Sequence, residues 1–265
     1  GGCGSTGAIT RTYTATDACG NEAEHIQTIT VEDDTPPSFL GTLPMDITVE
    51  CDNVPVAATP AATDNCDLDV TITLVEVSTQ TSDGSCTDDS YTITRTWTAT
   101  DNCGNTDTQT QVVTVQDTTN PVLGNLPPDL TIECDAIPAA ATPTATDNCD
   151  NDVTITFVET QVADPAANCE NAFIISRTWT ATDNCGNEDI HTQTITVFDN
   201  TVPVFDAASV PTDATVECDN VPAPASPTAT DNCDSDVTIT YNHVRTDGNC
   251  EENYTLTRTW TATDD

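Results

Sequence analysis

The residues best able to do chemistry here are carboxylates in turns. The string Asp-Asn-Cys-Asp-x-Asp occurs three times, giving Asp64, Asp67 and Asp69, then Asp147, Asp150 and Asp152, then Asp231, Asp234 and Asp236. A second turn, Asp-x-Cys-Gly-Asn, supplies Asp17 and Asn21, Asp101 and Asn105, and Asp183 and Asn187. Hard oxygen donors gathered in a turn suit Ca²⁺, which takes six to eight of them. If both turns share one pole of a domain, that pole meets the exit of the preceding unit at Asp33, Asp117 or Asp199. Calcium held there by carboxylates from two units would lock the joint. Against this, Asp and Asn bond their own backbone in ordinary turns, and Cys-Gly-Asn is a plain hairpin signal. The spacing is not that of an EF-hand loop.

Other constellations point away from catalysis. The three histidines lie in no Ser/Asp or Cys/His arrangement: His25 and His191 hold equivalent places that Gln109 fills in the unit between. The carboxylate pairs sit in turns rather than in the cleft a glycosidase needs. No glycine loop cradles phosphate. The expectation is a protein that is not an enzyme.

Cysteine provides the second chemistry. Thirteen cysteines recur in register as Glu-Cys-Asp, Asp-Asn-Cys-Asp, a variable-loop cysteine and Cys-Gly-Asn. Four per unit fit two disulfides and an oxidising, extracellular or cell-surface setting reached by secretion. Zinc is not expected, since the gaps inside a unit run from 15 to 20 residues rather than in close pairs. Up-and-down strands put the first and third cysteines at one pole and the second and fourth at the other. That geometry predicts Cys51–Cys86 and Cys66–Cys103, then Cys134–Cys169 and Cys149–Cys185, with Cys218 and Cys250 at the corresponding places of the last unit. A local pairing, first to second and third to fourth, is the alternative. The odd total fits a window on a longer array that starts within one unit and stops just before the next Cys-Gly-Asn.

The elements that position these groups repeat too. TVECDN at 48–53 returns at 131–136 as TIECDA and at 215–220, 83 and then 84 residues on; RTWTATD at 95–101 returns after 82 and then 81. A unit of about 83 residues is too long for a solenoid repeat and suits a small β domain. Proline-containing junctions after Val-x-Asp block strand continuation. They divide the chain into a partial repeat (1–34), full repeats at 35–117 and 118–199, and a second partial repeat (200–265). Alternation with the strand period dominates. Tyr91, Ile93, Arg95, Trp97 and Ala99 share one face, while Thr92, Thr94, Thr96, Thr98 and Thr100 share the other. Five main strands are expected in 35–117, near 45–51, 55–63, 69–78, 90–100 and 107–116. The inward Arg95, Arg177 and Arg258 read as internal arginines stacked on tryptophan or paired with a carboxylate. Glu76 and Glu159 are the candidate partners, and His243 takes their place in the last repeat.

With 44 acidic residues, five arginines, no lysine and a net charge of −39, nucleic acid and anionic membrane are excluded as partners. Such self-repulsion favours multivalent cations or simply a solvated surface. No membrane-inserting segment is expected here. Asn253 opens an N-glycosylation sequon, and Asp117-Thr118-Thr119 resembles a bacterial O-glycosylation signal.

Thr-(Trp/Tyr)-Thr-Ala-Thr-Asp-x-Cys-Gly-Asn followed by Thr-Ile-Thr-Val-x-Asp-x-Thr-x-Pro resembles HYR-type immunoglobulin-like repeats. The cysteine-rich form is similar to arrays in very large secreted surface adhesins of Bacteroidetes, including those linked to gliding and type 9 secretion. The resemblance implies an all-β, tandem Ig-like β-sandwich architecture, export, and a stalk or adhesive role. The fold class expected is therefore all-β, with sandwich repeats arranged as an extended rod. The first functional reading is a stalk or filament whose partners are its own neighbouring repeats, with self-assembly into fibres. The second is adhesion to a glycan or surface through the loops at 79–90, 161–171 and 244–253 or through the threonine faces.

Overall fold

The structure, a computed structural model, describes residues 6–165, 172–249 and 252–264. The chain is all-β. A hairpin of β1 (Gly7–Thr16) and β2 (Glu22–Val31) comes first. The first complete repeat contains β3 (Ser38–Leu40), β4 (Ile47–Glu50), β5 (Ala61–Thr63), β6 (Thr71–Ser78), β7 (Tyr91–Thr100) and β8 (Thr106–Gln116). The second repeats the set as β9 (Val122–Gly124), β10 (Leu130–Glu133), β11 (Thr144–Thr146), β12 (Thr154–Ala163), β13 (Phe173–Thr182) and β14 (Glu188–Phe198). The last stretch carries β15 (Val204–Phe205), β16 (Ala229–Thr230), β17 (Thr238–Asp247) and β18 (Tyr254–Thr263).

Each complete repeat is a sandwich of a four-stranded and a two-stranded sheet. The orders are β4-β8-β7-β6 with β3-β5, and β10-β14-β13-β12 with β9-β11. Strand β4 runs parallel to β8, opposing Ile47 to Val113 and Val49 to Val115, while β8, β7 and β6 are antiparallel. The alternation read from 91–100 places the core. Trp97, Ala99 and Arg95 are buried with Val113 and Val115; Trp179, Ala181 and Arg177 are buried with Ile195 and Val197. The opposite face carries threonine rows. Thr96 opposes Thr110, and Thr98 lies between Thr73 and Thr108. β-Branched threonine suits such a half-exposed pleated surface.

The expected strand at 55–63 shrinks to Ala61–Thr63. Pro55 and Pro60 offer no N–H to a ladder, and core side chains capture the carbonyls instead. Arg95 Nη2 donates to Pro55 O at 2.7 Å, and Trp97 Nε1 donates to Ala58 O at 3.0 Å. The arginines are structural, as their parity indicated. Arg95 Nε lies 2.8 Å from Glu76 Oε1, and Arg177 Nε lies 2.7 Å from Glu159 Oε2. In the last repeat His243 opposes Arg258, which donates instead to Pro222 O and Ala223 O.

The disulfides correct the expected pairing. Cys51 bonds Cys149, Cys86 bonds Cys185 and Cys134 bonds Cys233, with separations of 98, 99 and 99 residues. The predicted Cys51–Cys86, Cys66–Cys103, Cys134–Cys169 and Cys149–Cys185 bridges are therefore absent, and so are the local alternatives for Cys51, Cys86, Cys134, Cys149 and Cys185. The physical reason is the position of the cysteines. Cys51 and Cys134 follow the short strands β4 and β10, and Cys86 lies in the loop before β7. Cys149 and Cys185 sit in the turns of the following repeat. Each bridge thus joins the first or third cysteine of one repeat to the second or fourth of the next. Cys103 is also disulfide-bonded, while Cys19 and Cys218 are exposed and unbridged. Cys169 and Cys250 lie outside the described residues.

The chain forms two compact units. One holds residues 1–121 with the loops 146–154 and 182–188; the other holds 122–145, 155–181 and 189–265. The turns carrying Cys149 and Cys185 therefore pack with the first complete repeat, to which they are bridged.

Candidate metal centre

Among the described residues, three carboxylate clusters recur where one repeat gives way to the next. Asp33 and Asp64 form the first with Cys66. Asp117 and Asp147 form the second with Cys149. Asp199 lies in the third with Asp231 and Asp264, and also with Glu133 and Cys233. In each group the candidate ligand atoms lie within 4.8 Å of one another. Cys149 and Cys233 are in disulfides, so their sulfurs are not thiolate ligands.

Local backbone chemistry explains how these oxygens are aimed. In the Asp-Asn-Cys-Asp turn the first aspartate spends one oxygen on the turn. Asp147 Oδ1 accepts from Cys149 N at 2.8 Å and Asp150 N at 3.0 Å. Asp64 Oδ1 accepts from Cys66 N and Asp67 N, and Asp231 Oδ1 from Cys233 N and Asp234 N. The exit aspartates do likewise: Asp117 Oδ1 accepts from Thr119 N, and Asp199 Oδ1 from Thr201 N. The second oxygens of Asp64, Asp117, Asp147, Asp199 and Asp231 are all buried without a hydrogen-bond partner.

The electrostatics agree. Burial, followed by the charges of Asp147, Asp183 and Asp89, pushes Asp117 up to about 6. Burial also pushes the Cys66 thiol up, and Asp33, Asp64 and Asp101 add to it.

Several of the other predicted ligands are consumed by their turns. Asp101 Oδ1 accepts from Cys103 N and Asn105 N, and its Oδ2 accepts from Asn105 Nδ2. Burial acts to raise Asp101, but the bonds from Asn105, Cys103 and Gly104 outweigh it and hold the carboxyl below its usual range. Asp183 and Asn187 repeat this arrangement, as do Asp17 and Asn21. The turn glycines Gly104 and Gly186 have φ of +88°, which suits glycine. Asn105 and Asn187 reach the exit residues through backbone, donating to Asp33 O and Asp117 O. Asp67 and Asp150 are buried and tie the two turns together, accepting from Asn102 N and Asn184 N. Asp234 is buried and caps Asp236 N. Asp69, Asp152 and Asp236 are exposed and outside the clusters.

Sequence reasoning missed Glu50, Glu133, Asp89 and Asp264. Glu50 accepts from Gln116 Nε2, Thr118 N and Thr118 Oγ1, which hold its carboxyl below the usual range. The thrice-repeated Glu-Cys-Asp was its signal, although only the cysteine was read. Asp264 is the register equivalent of Asp101 and Asp183. Asp89 takes the amide of Asn184 at 2.8 Å, and no motif marks it. Of the glycosylation candidates, Asn253 is exposed, and the Thr118 hydroxyl donates to Glu50 at 2.8 Å.

Residues 41–115 and 125–197 each match the family described as the HYR-like domain with 4 cysteines. The chain belongs to this family. Of the cysteines in the two matched stretches, Cys51 and Cys86 of the first bridge to Cys149 and Cys185 of the second, and Cys134 of the second bridges onward to Cys233. No curated protein is similar enough to count as a relative. Among solved structures, the chain is similar over its full length to Protocadherin Gamma B2 extracellular cadherin domains 1–5, at 15% identity and a TM-score of 0.34, spanning 59% of that chain. It is also similar to Drosophila N-cadherin EC1–4, at 14% identity and a TM-score of 0.25, over 90% of this chain and 71% of that one. Among the described residues no helix is long and apolar enough to cross a membrane.

Proposed function

We propose that this HYR-like array is a structural stalk segment of a secreted, cell-surface protein, with repeats at 35–117 and 118–199 and parts of further repeats at 1–34 and 200–265. The observation that carries the reading is the path of the disulfides. Cys51–Cys149, Cys86–Cys185 and Cys134–Cys233 staple each repeat to its successor. A domain that needed only its own stability would close its bridges internally. Bridges across the joint resist separation of neighbours under load, the property a stalk or filament requires. They also call for an oxidising compartment, which supports export. Buried Pro37 and Pro121 at the repeat entries fix the chain's φ there.

Small-angle scattering on the oxidised chain tests this. An extended particle that loses stiffness on reduction supports the stalk, and a compact globule in both states sinks it. The second reading, adhesion to a glycan or surface, is favoured by one feature. The loop 79–90 and the turns at 149–154 and 183–184 line a cleft of about 350 Å³ that includes Asp88, Asp89, Asp150 and Asp152. Retention of the chain on a glycan array, lost on Asp89→Ala, would favour adhesion instead.

A further inference from the structure

We infer that each joint binds one hard divalent cation, of the Ca²⁺ class, between the exit aspartate of one repeat and the first aspartate of the next repeat's Asp-Asn-Cys-Asp turn. This deepens the stalk reading by naming what neutralises the joint. It narrows the ligands from a whole acidic turn to a pair of oxygens: Asp117 and Asp147 in the second joint, Asp199 and Asp231 in the third, and Asp33 and Asp64 in the first.

Burial and pairing carry the inference rather than acidity. Asp117 is 5% exposed. Its Oδ1 is bonded to Thr119 N, and its Oδ2 has no partner. Asp147 is in the same state, with Oδ1 held by two backbone N–H groups and Oδ2 bare. The two offer ligand atoms within 4.8 Å of each other. A buried carboxylate oxygen without a donor is costly, and two facing each other cost more. Among the described residues no arginine forms an ion pair with a joint aspartate. Arg95 and Arg177 are committed to Glu76 and Glu159, and there is no lysine. The third joint repeats the pattern, with Asp199 and Asp231 both bare at Oδ2 and Asp264 in the same cluster. Two built joints from two different stretches of sequence therefore leave the same pair of oxygens open.

The donor set selects the ion. In the second and third joints it is all oxygen once the disulfide sulfurs are set aside, the first adds only the Cys66 thiol, whose pKa is pushed up, and among the described residues no histidine belongs to any cluster, so Zn²⁺ and softer ions are disfavoured. Two or three carboxylates cannot fill the shell of Ca²⁺, so water completes it. Affinity should therefore lie near the extracellular range, a Kd of about 10⁻⁴–10⁻³ M.

Equilibrium dialysis of the oxidised 265-residue chain against CaCl₂ in 0.15 M NaCl, with melting followed in parallel, tests the proposal. About three ions per chain should bind, one per joint. The double variant Asp117→Asn/Asp147→Asn should bind one fewer, because Asn keeps the Oδ1 acceptor that the turn needs but loses the anionic oxygen. Asp69→Asn, outside the clusters, should bind as the parent does. In chelator the double variant should melt above the parent, and in calcium the order should reverse. The proposal is overturned if bound calcium is unaffected by the double variant, which is diffuse counterion uptake by a chain of net charge −39. It is equally overturned if melting is identical in calcium and chelator, which leaves a shared proton as the neutralising agent. Dialysis counts ions and scattering reads length, so the stalk can stand while the cation falls, and the reverse.

Discussion

The tryptophan face of β7 and the joint around Asp117 are both buried and both polar, and they settle that polarity in opposite ways. On β7 every awkward group has a partner. Arg95 is held by Glu76 and by Pro55 O and Trp97 Nε1 by Ala58 O, and on the adjoining β8 Gln111 Nε2 is held by Met45 O. Within residues 35–117 the buried side-chain oxygens and nitrogens without partners are Asp64 Oδ2 and Asp117 Oδ2, one at each end of the repeat. A fold that can satisfy a buried arginine is able to satisfy an aspartate. That both exceptions fall at joints teaches that the repeat is complete inside and open at its ends, where something from outside it is needed. Part of that something is the neighbouring repeat, delivered by disulfides.

The largest expected effect tests the disulfide half of the contrast. In a chain-entropy account a bridge closing a loop of this length contributes about 4–5 kcal/mol. Replacing Cys51 and Cys149 with Ser together should lower stability by up to that amount, read by chemical denaturation. Peptide mapping without reductant should recover Cys51 linked to Cys149. A Cys51–Cys86 peptide would return the molecule to self-contained domains and erase the contrast.

Trp97→Ala comes next. It removes a side chain that is 1% exposed and strands Ala58 O, so a loss of about 3–5 kcal/mol is expected. If the repeat is complete inside, this loss should be the same in calcium and in chelator. A calcium-dependent loss would mean that core and joint are not separate.

Asp117 gives the smaller, signed effect. Its folded pKa of about 6 lies above the ordinary 3.8, so between those values the folded chain binds more protons than the unfolded one. Stability in chelator should therefore fall as pH rises from about 4 to about 6. Asp117→Asn should remove that slope and stabilise the chain at pH 7 by no more than about 3 kcal/mol. A slope that survives the substitution would place the strain elsewhere in the cluster.

Much of this was legible in the chain and some was not, for definite reasons. The alternation at 91–100 located the core face, the threonine rows and the inward arginines, because side-chain period alone decides which face a residue takes. The joints were legible as acidic, since Asp33, Asp64, Asp117 and Asp147 stand in repeated motifs. Which oxygen of each aspartate would be spent on a backbone N–H was not, because that depends on turn geometry rather than composition. Cysteine connectivity failed for a related reason. Register within one repeat says which cysteines share a pole, but a tandem array offers each pole a second set of partners in the next repeat. The stretch 55–63 has a β-like pattern, but only Ala61–Thr63 forms a strand, because Pro55 and Pro60 deny it donors and Arg95 and Trp97 take its carbonyls.

The smallest effect sharpens the interior side of the contrast. Glu76 is 46% exposed at its side chain while Arg95 is 5% exposed, so their ion pair is open to solvent on the carboxylate side and cannot have the strength of a fully buried one. Glu76→Gln keeps an oxygen for Arg95 Nε, and Pro55 O still receives Nη2. The expected loss is about 1 kcal/mol, seen as a shift in denaturation midpoint without a change in slope. Arg95→Gln should cost more, because it leaves Pro55 O without its donor and opens space beside Trp97. Should the two substitutions cost the same, the arginine would be anchored by its charge alone. The carbonyls of 55–58 would then lose their place in the argument that this repeat satisfies its own interior.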